Sequence, residues 1–525
     1  MSFIEYLPVI FGLFVPVMFF LGYIQSSLMK PKYTWRFAHI NGLIALCSSV
    51  ALAIFMALQG RSELAHPWVN VTQLTPVILI TISVVAFVVL RFSQNYMQGE
   101  PRQERFSGML QLTFAAASMV VLSNHLLVLL LAWFIVSLSM HQLLLFYPDR
   151  PRAVLAAHKK FIFARLAEIS LLTAFILLYL EHGTWLISDI LNAYTAGTIL
   201  NLQENISACL IALAVLIKCA QLPVHGWLIQ VVEAPTPVSA ALHGGVINMG
   251  GILLISFAPL FALSSAAQWL VLVVAGVSVF IAALVMTTRV SIKVRLAWST
   301  SAQMGLMLIE CALGLYELAL LHLVAHSFYK AYSFLNSGNA VKQTIIARSA
   351  VERPPSLFQW GIMGVLLATI AIITVMFVNQ NAIQLQWFIS SWVLLFLSAL
   401  MFVVQRNSGH NQLNIISQLM FASGIVAAYA TLKYTSFSLL NPVEHTYSIW
   451  ADLWVSLMFV GLFLAGYIQR YQLHQKWVSA CNLVLYSGLY IDEWSSRITL
   501  AIWPKAMPQR VNAKRITESH EESLL

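Results

Sequence analysis

Charge is what this chain has least of. Only 9% of its 525 residues are Asp, Glu, Lys or Arg, against 59% hydrophobic and 12% aromatic, and mean hydropathy is +0.80. No soluble domain needs so few charges, so that class is excluded and the chain reads as a polytopic membrane protein. Cysteine is scarce as well. Cys47, Cys209, Cys219, Cys311 and Cys481 are scattered with no CxxC pair, mostly inside apolar runs where a free thiol acts as a small apolar residue. Neither a disulfide framework nor an iron–sulfur cluster is indicated. Nucleotide and hydrolase signatures are also missing: no GxGxxG, Walker loop, HExxH or GxSxG stands in a fitting context, and no polar stretch is long enough for a soluble nucleotide domain. The sequence therefore assigns the chain transport without catalysis of its own.

What the chain has in abundance is apolar runs of membrane-crossing length, about 20 residues each. They fall near 4–26, 37–58, 71–90, 107–123, 125–146, 161–180, 206–222, 236–257, 267–287, 295–313, 317–338, 358–378, 385–404, 413–431 and 450–469. Their apolarity is continuous rather than alternating, which predicts an all-α polytopic fold of about 14–15 transmembrane helices and not a barrel. The first run lacks a cationic leader and a small-residue cleavage site and contains Pro8 and Pro16, so it is expected to be a retained span.

Basic residues alternate by side on this map, as positive-inside topology requires. One set of loops holds Lys30, Lys32 and Arg36, then Arg150, Arg152, Lys159 and Lys160, then Arg289, Lys293 and Arg295; the opposite side has Arg61 and Lys433, and Arg165, Lys218 and Lys330 fall inside spans. The expected placement has the N-terminus on the outer side of the membrane and the C-terminus on the cytoplasmic side. Topology explains the net charge of +9, and a nucleic-acid partner is not needed to account for it. Along the chain we read N-terminal transmembrane helices (1–106), a first helix bundle (107–260), a second (261–405), C-terminal transmembrane helices (406–470) and a cytoplasmic amphipathic tail (471–525). In the tail, Tyr490 to Trp494 suggests either a surface or partner contact or a solvated segment.

Titratable groups at membrane depth are costly and usually line a polar cavity or pair with one another. Arg165 and Glu168 lie three apart on one helical face, suited to a structural ion pair or to one partner each on a neighbouring helix. Lys218 is followed by Pro223 and then by APTP, while Gly244, Gly245, Gly250 and Gly251 loosen the next run, which carries His243. A helix broken this way exposes backbone groups at transport sites. Burial makes the charged lysine costly, so Lys218 could lose and regain a proton; the alternative is a side chain snorkelling to the interface. His322, His326 and Lys330 follow one another at four-residue spacing, a polar stripe over about two helical turns. The stripe fits a proton relay. Core histidines or a zinc pair are the other readings, though Lys330 would repel a cation.

These residues carry a resemblance. KCAQLPVHGWL (Lys218–Leu228), APTPVSAALH (Ala234–His243), the stretch Ser291–Gly305 and LHLVAHSFYKA (Leu321–Ala331) resemble the antiporter-like subunits of respiratory complex I, above all subunit 5 (the NADH-quinone oxidoreductase subunit 5 family), and the Mrp sodium/proton antiporters. Residues 165–168 resemble that family's Arg-Val-Gly-Asp segment. The resemblance implies an antiporter-like fold with discontinuous helices and inverted repeats, and a proton pathway through Lys218, His243, His322, His326 and Lys330, with Glu168 and Arg165 beside it. Departures accompany it: Trp133-Phe134 stands where the family has Trp-Glu, 358–378 has no titratable group, and the tail is too short for a lateral helix. Glu233, just before the APTP break, is a candidate replacement for the lost glutamate. This reduced pattern most resembles the DabB family, membrane subunits of inorganic-carbon (CO2/bicarbonate) accumulation complexes. That resemblance implies a DabA partner of zinc β-carbonic-anhydrase type, with the zinc in the partner and no cofactor in this chain. A complex I subunit 5 and a cation/proton antiporter subunit are the alternatives.

Overall fold

In a computed structural model, the structure describes residues 3–59, 63–195, 197–339, 389–406, 448–472 and 474–503, with isolated positions between 360 and 431. Where water is absent, each backbone N–H and C=O must find a partner within its own segment, and the apolar runs accordingly fold as helices. The first half comprises α1 (Phe3–Leu28), α2 (Pro31–Gln59), α3 (Leu74–Tyr96), α4 (Gln103–Leu122), α5 (Leu126–Leu144), α6 (Pro151–His182), the short α7 (Ile187–Asn192) and α8 (Leu202–Lys218). A two-stranded hairpin, β1 (Glu63–Ala65) and β2 (Asn70–Thr72), sits between α2 and α3. Strands of three residues leave no trace in a scan for apolar runs.

Beyond α8 the helices become short: α9 (Gly226–Gln230), α10 (Thr236–Gly244), α11 (Met249–Ser256) and α12 (Ala258–Leu263). Long ones resume with α13 (Ser265–Thr288), α14 (Ile292–Ala312) and α15 (Tyr316–Leu335), followed by α16 (Ile389–Arg406), α17 (Ile449–Tyr471), α18 (Lys476–Tyr486) and α19 (Glu493–Ile502). Nine candidate membrane spans, by length and apolarity, stand among the described residues. The expected spans at 358–378 and 413–431 lie outside the described residues, apart from a few isolated helical positions.

Local sequence fixes the ends. Asn201 and Glu204 form a reciprocal capping box on α8: the Glu204 N–H donates to Asn201 Oδ1 at 2.9 Å and the Asn201 N–H donates to Glu204 Oε2 at 2.8 Å. Helix α6 starts on Pro151 and stops at Gly183, whose φ of +67° suits glycine. At 32 residues α6 is roughly 48 Å long, more than a bilayer core. Its start ten residues earlier than expected draws Lys159 and Lys160, counted as loop charges on sequence, into the helix. The helices pack as α1 on α2 and α4, α6 on α8, α10 on α15 and α13 on α14, around a main core, with a smaller cluster at Ala282, Val285, Trp298 and Ala302. The outer faces of α5 and α6 present Leu131, Ile169 and Leu180, each about 60% exposed, as lipid-facing positions do.

Candidate functional site

Helix α8 ends at Lys218 because its next turn is dismantled. Ala220 takes a φ of +52°, and the released backbone groups are met by side chains of neighbouring helices and of the segment itself. Ser301 on α14 donates to the Ala220 carbonyl at 2.9 Å, the Leu222 N–H donates to Ser278 Oγ on α13 at 2.9 Å, and Gln221 Nε2 donates to the Cys219 carbonyl at 2.8 Å. Irregular backbone at membrane depth is tolerated only when satisfied in this way. A Cβ on Gly250 would run into Cys219 Sγ, so glycine is what lets α11 close on the broken end. The next piece is interrupted too: α10 stops at Gly245, and a 3-10 turn (Val246–Asn248) leads into α11.

Lys218 is half-buried, and its ammonium lies over the Trp133 ring, 4.7 Å from the centroid. Arg165 lies over Phe134 in the same manner, at 4.3 Å. Aromatic faces thus meet both cations. Beside them is a group the sequence assigned to a loop. Lys160 is buried and donates to the Ser137 carbonyl at 2.5 Å and to Ser137 Oγ at 3.0 Å. Arg165 donates to the same hydroxyl at 3.0 Å and to Glu168 at 2.8 Å. Lys160, Ser137, Arg165 and Glu168 form one hydrogen-bonded string, and the Glu168 carboxylate acts electrostatically on both Lys218 and Lys160. Lys160, Lys218 and Trp133 also share a pocket of about 20 Å³, room for a water molecule. Glu233 lies elsewhere. It is half-exposed on a 3-10 turn and faces Arg152 at 3.9 Å; the carboxylate that acts on Lys218 comes from α6.

The second cluster runs along α15 against α14. His322 engages both ring nitrogens, Nδ1 with the Glu310 carboxylate at 3.1 Å and Nε2 with Gln303 Oε1 at 2.9 Å. Lys330 is wholly buried and donates to Ser299 Oγ at 2.7 Å and to the Leu296 carbonyl at 3.1 Å. His326 lies between them, 4% exposed, with neither ring nitrogen hydrogen-bonded among the described residues. His243 reaches in from α10, with Nδ1 3.0 Å from Thr300 Oγ1 and its ring stacked on Phe334. The four predicted residues therefore meet in one column. From His322 to Lys330 it covers eight residues, about 12 Å of helix rise. Because α15 runs antiparallel to α14, Lys330 ends near the basic Lys293–Arg295 end and His322 near the other.

Sequence reading passed over the far ends of both clusters. Glu310 is one, and nothing local in the sequence couples it to His322 twelve residues on. Asp492 lies in the Tyr490–Trp494 stretch, for which the sequence suggests either a surface or partner contact or a solvated segment. It packs onto the broken helix, accepting from Lys159 Nζ at 2.7 Å and Gln230 Nε2 at 2.9 Å, against Gly226, where a Cβ would collide with its carboxylate. Trp494 meets Phe163 edge-on and Trp503 stacks on His158, so α19 is docked along α6.

Comparison with known proteins places this arrangement. Residues 123–352 match the model of the NADH:quinone oxidoreductase/Mrp antiporter transmembrane family. The chain is 43% identical to a probable inorganic carbon transporter subunit DabB of Hydrogenovibrio crunogenus over 97% of both chains. It is 34% identical to the DabB2 subunit of Halothiobacillus neapolitanus, over 83% of this chain and 81% of that one. In fold it is similar to a chain of the Mrp complex from Dietzia sp., with a TM-score of 0.56 at 18% identity, covering 97% of this chain and 58% of the other.

Proposed function

This chain belongs to the DabB family of probable inorganic carbon transporter subunits, within the wider family of NADH:quinone oxidoreductase and Mrp antiporter membrane subunits, and from that premise we propose that it conducts protons to energise inorganic-carbon accumulation. The observation that carries the reading is the column of half-buried His322 with buried His326, Lys330 and His243, set beside the broken helix that ends at Lys218. Buried ionisable groups are expensive in a membrane. An imidazole such as His326, buried without a hydrogen-bond partner among the described residues, has no static structural role to offset that cost, and a transferable proton gives it one. Arg165, Glu168 and Lys160 set the charge around Lys218. The chain would sit in the bacterial inner membrane with its N-terminus periplasmic and its C-terminus cytoplasmic.

Hydration of carbon dioxide to bicarbonate would belong to a soluble DabA-like partner of β-carbonic-anhydrase type, which would hold the zinc. One proton moving down 100 mV supplies about 2.3 kcal/mol, enough to bias a near-balanced hydration more than tenfold. Two measurements test this. Purification from the native membrane in mild detergent should bring along one large zinc-bearing partner; flavin and iron–sulfur subunits would return the chain to a complex I role. Lys218→Ala and Lys330→Ala should each abolish energised uptake of labelled inorganic carbon while the protein still inserts. Full uptake in both variants would refute proton conduction along this path.

A further inference from the structure

The column of α15 has a far end. Helices α14, α15, α16 and α17 border a half-open cavity of about 220 Å³ lined by Glu310, Leu313, Leu318, Ser390, Ser391 and Phe459. This space has room for more than one water molecule beside its polar groups. Most of the wall is aliphatic, but its polar groups are specific. Glu310 is 7% exposed and turns one carboxylate both to the cavity and to His322 Nδ1. Ser390 is 1% exposed, lines the cavity, and its hydroxyl has no hydrogen-bond partner among the described residues. A buried hydroxyl left unpaired costs free energy unless a mobile partner visits it.

The neighbouring carboxylate has a different task. Asp452 on α17 accepts the backbone N–H groups of Ile389 at 2.8 Å and Ser390 at 2.9 Å, so it caps the start of α16 and holds that wall in place. Glu310 caps nothing. His322 meanwhile presents both nitrogens to oxygen acceptors, Glu310 on one side and Gln303 on the other, which is the hydrogen-bonding demand of a ring carrying two N–H donors. Glu310 stands seventeen residues along α14 from Lys293, about 25 Å of helix rise, and therefore near the membrane face opposite the basic end.

We propose that Glu310 and this cavity form the outer proton port of the chain. The His322 imidazolium gives a proton toward His326 and Lys330; the neutral ring then takes the proton of the Glu310 carboxylic acid, restoring imidazolium and carboxylate, and the carboxylate is reprotonated by a proton arriving from the bulk through water in the cavity. The port rests on the proton-conducting reading and on the cytoplasmic placement of the Lys293–Arg295 end. It adds a group that the sequence pattern did not single out, and it gives the column an entrance from the periplasmic side.

The test uses whole complexes in spheroplasts and in inside-out vesicles of the same cells. Ser390→Cys is exposed to a charged, membrane-impermeant methanethiosulfonate, with the unsubstituted chain as the blank for the native cysteines, and Glu310→Gln and Glu310→Asp are compared for proton flux. The port requires that Ser390→Cys is modified in spheroplasts and not in inside-out vesicles, and that modification stops flux. It also requires that Glu310→Gln lowers flux tenfold or more while Glu310→Asp keeps most of it. A Ser390→Cys that is unreactive from the periplasmic side, or reactive only from the cytoplasmic side, overturns the port even if Glu310→Gln misfolds. Lys330→Ala separates the two readings. If it blocks flux while Glu310→Gln conducts like the parent, the port alone fails; if it conducts normally, the proton-conducting reading fails with it.

Discussion

Removing the Asp492 carboxylate should release the tail from the broken helix, and the size of the effect follows from the burial of its partner. Lys159 is 0% exposed at its side chain and Asp492 27% exposed, with 2.7 Å between Nζ and Oδ2. Breaking a buried ion pair from one side costs about 3–5 kcal/mol, because the charge left behind is uncompensated. Lys159 keeps the Ser496 hydroxyl at 2.8 Å, and Asp492 is partly wet, so Asp492→Ala should cost nearer 2 kcal/mol. Only the docking of α18 and α19 depends on this contact, so the cost appears as local opening rather than global unfolding. About 2 kcal/mol raises the undocked population roughly thirtyfold, and cleavage by a trace of protease near residues 472–475 should accelerate by that factor where opening is fast relative to cleavage. Lys159→Met in the same chain should restore most of the protection, since no buried charge then remains. The double-mutant cycle should give a coupling above about 1 kcal/mol. Additive effects of the two substitutions, or an unchanged cleavage rate in Asp492→Ala, would refute the reasoning.

Gly226→Ala should give the same protease phenotype by another route, because its Cβ collides with the Asp492 carboxylate; in an Asp492→Ala background the same change should cost little further, read by the same cleavage assay. Asn201→Ala removes one half of the capping box on α8 and should cost about 1 kcal/mol, read as a lower apparent unfolding temperature in detergent with proton flux retained; loss of flux at unchanged stability would show that α8 is held by something other than its cap.

Much of this architecture was legible in the sequence, for a physical reason. A bilayer imposes one length and one composition on everything that crosses it, so the runs at 4–26, 71–90 and 267–287 reappear as α1, α3 and α13. The break after Lys218 was legible because Pro223 and the glycines near 245 cannot sustain a regular helix in that setting. The His322, His326 and Lys330 stripe was legible because helical periodicity puts residues four apart on one face. Lys160 was misassigned at a helix boundary, where apolar scanning is weakest. A basic pair at the edge of a run reads as a loop whether or not the helix continues beneath it.

Sequence by itself determined the elements, the places where they break, and the candidates for a proton path, because each of those depends on residues close together in the chain. Only the tertiary structure decided which groups meet. Glu310 finds His322 across two helices, Asp492 finds Lys159 across 333 residues, and the Lys218 ammonium settles on Trp133 while the carboxylate acting on it comes from Glu168. Such pairings are set by how helices lie against one another, and a single charged side chain carries no mark of the partner that burial will select for it.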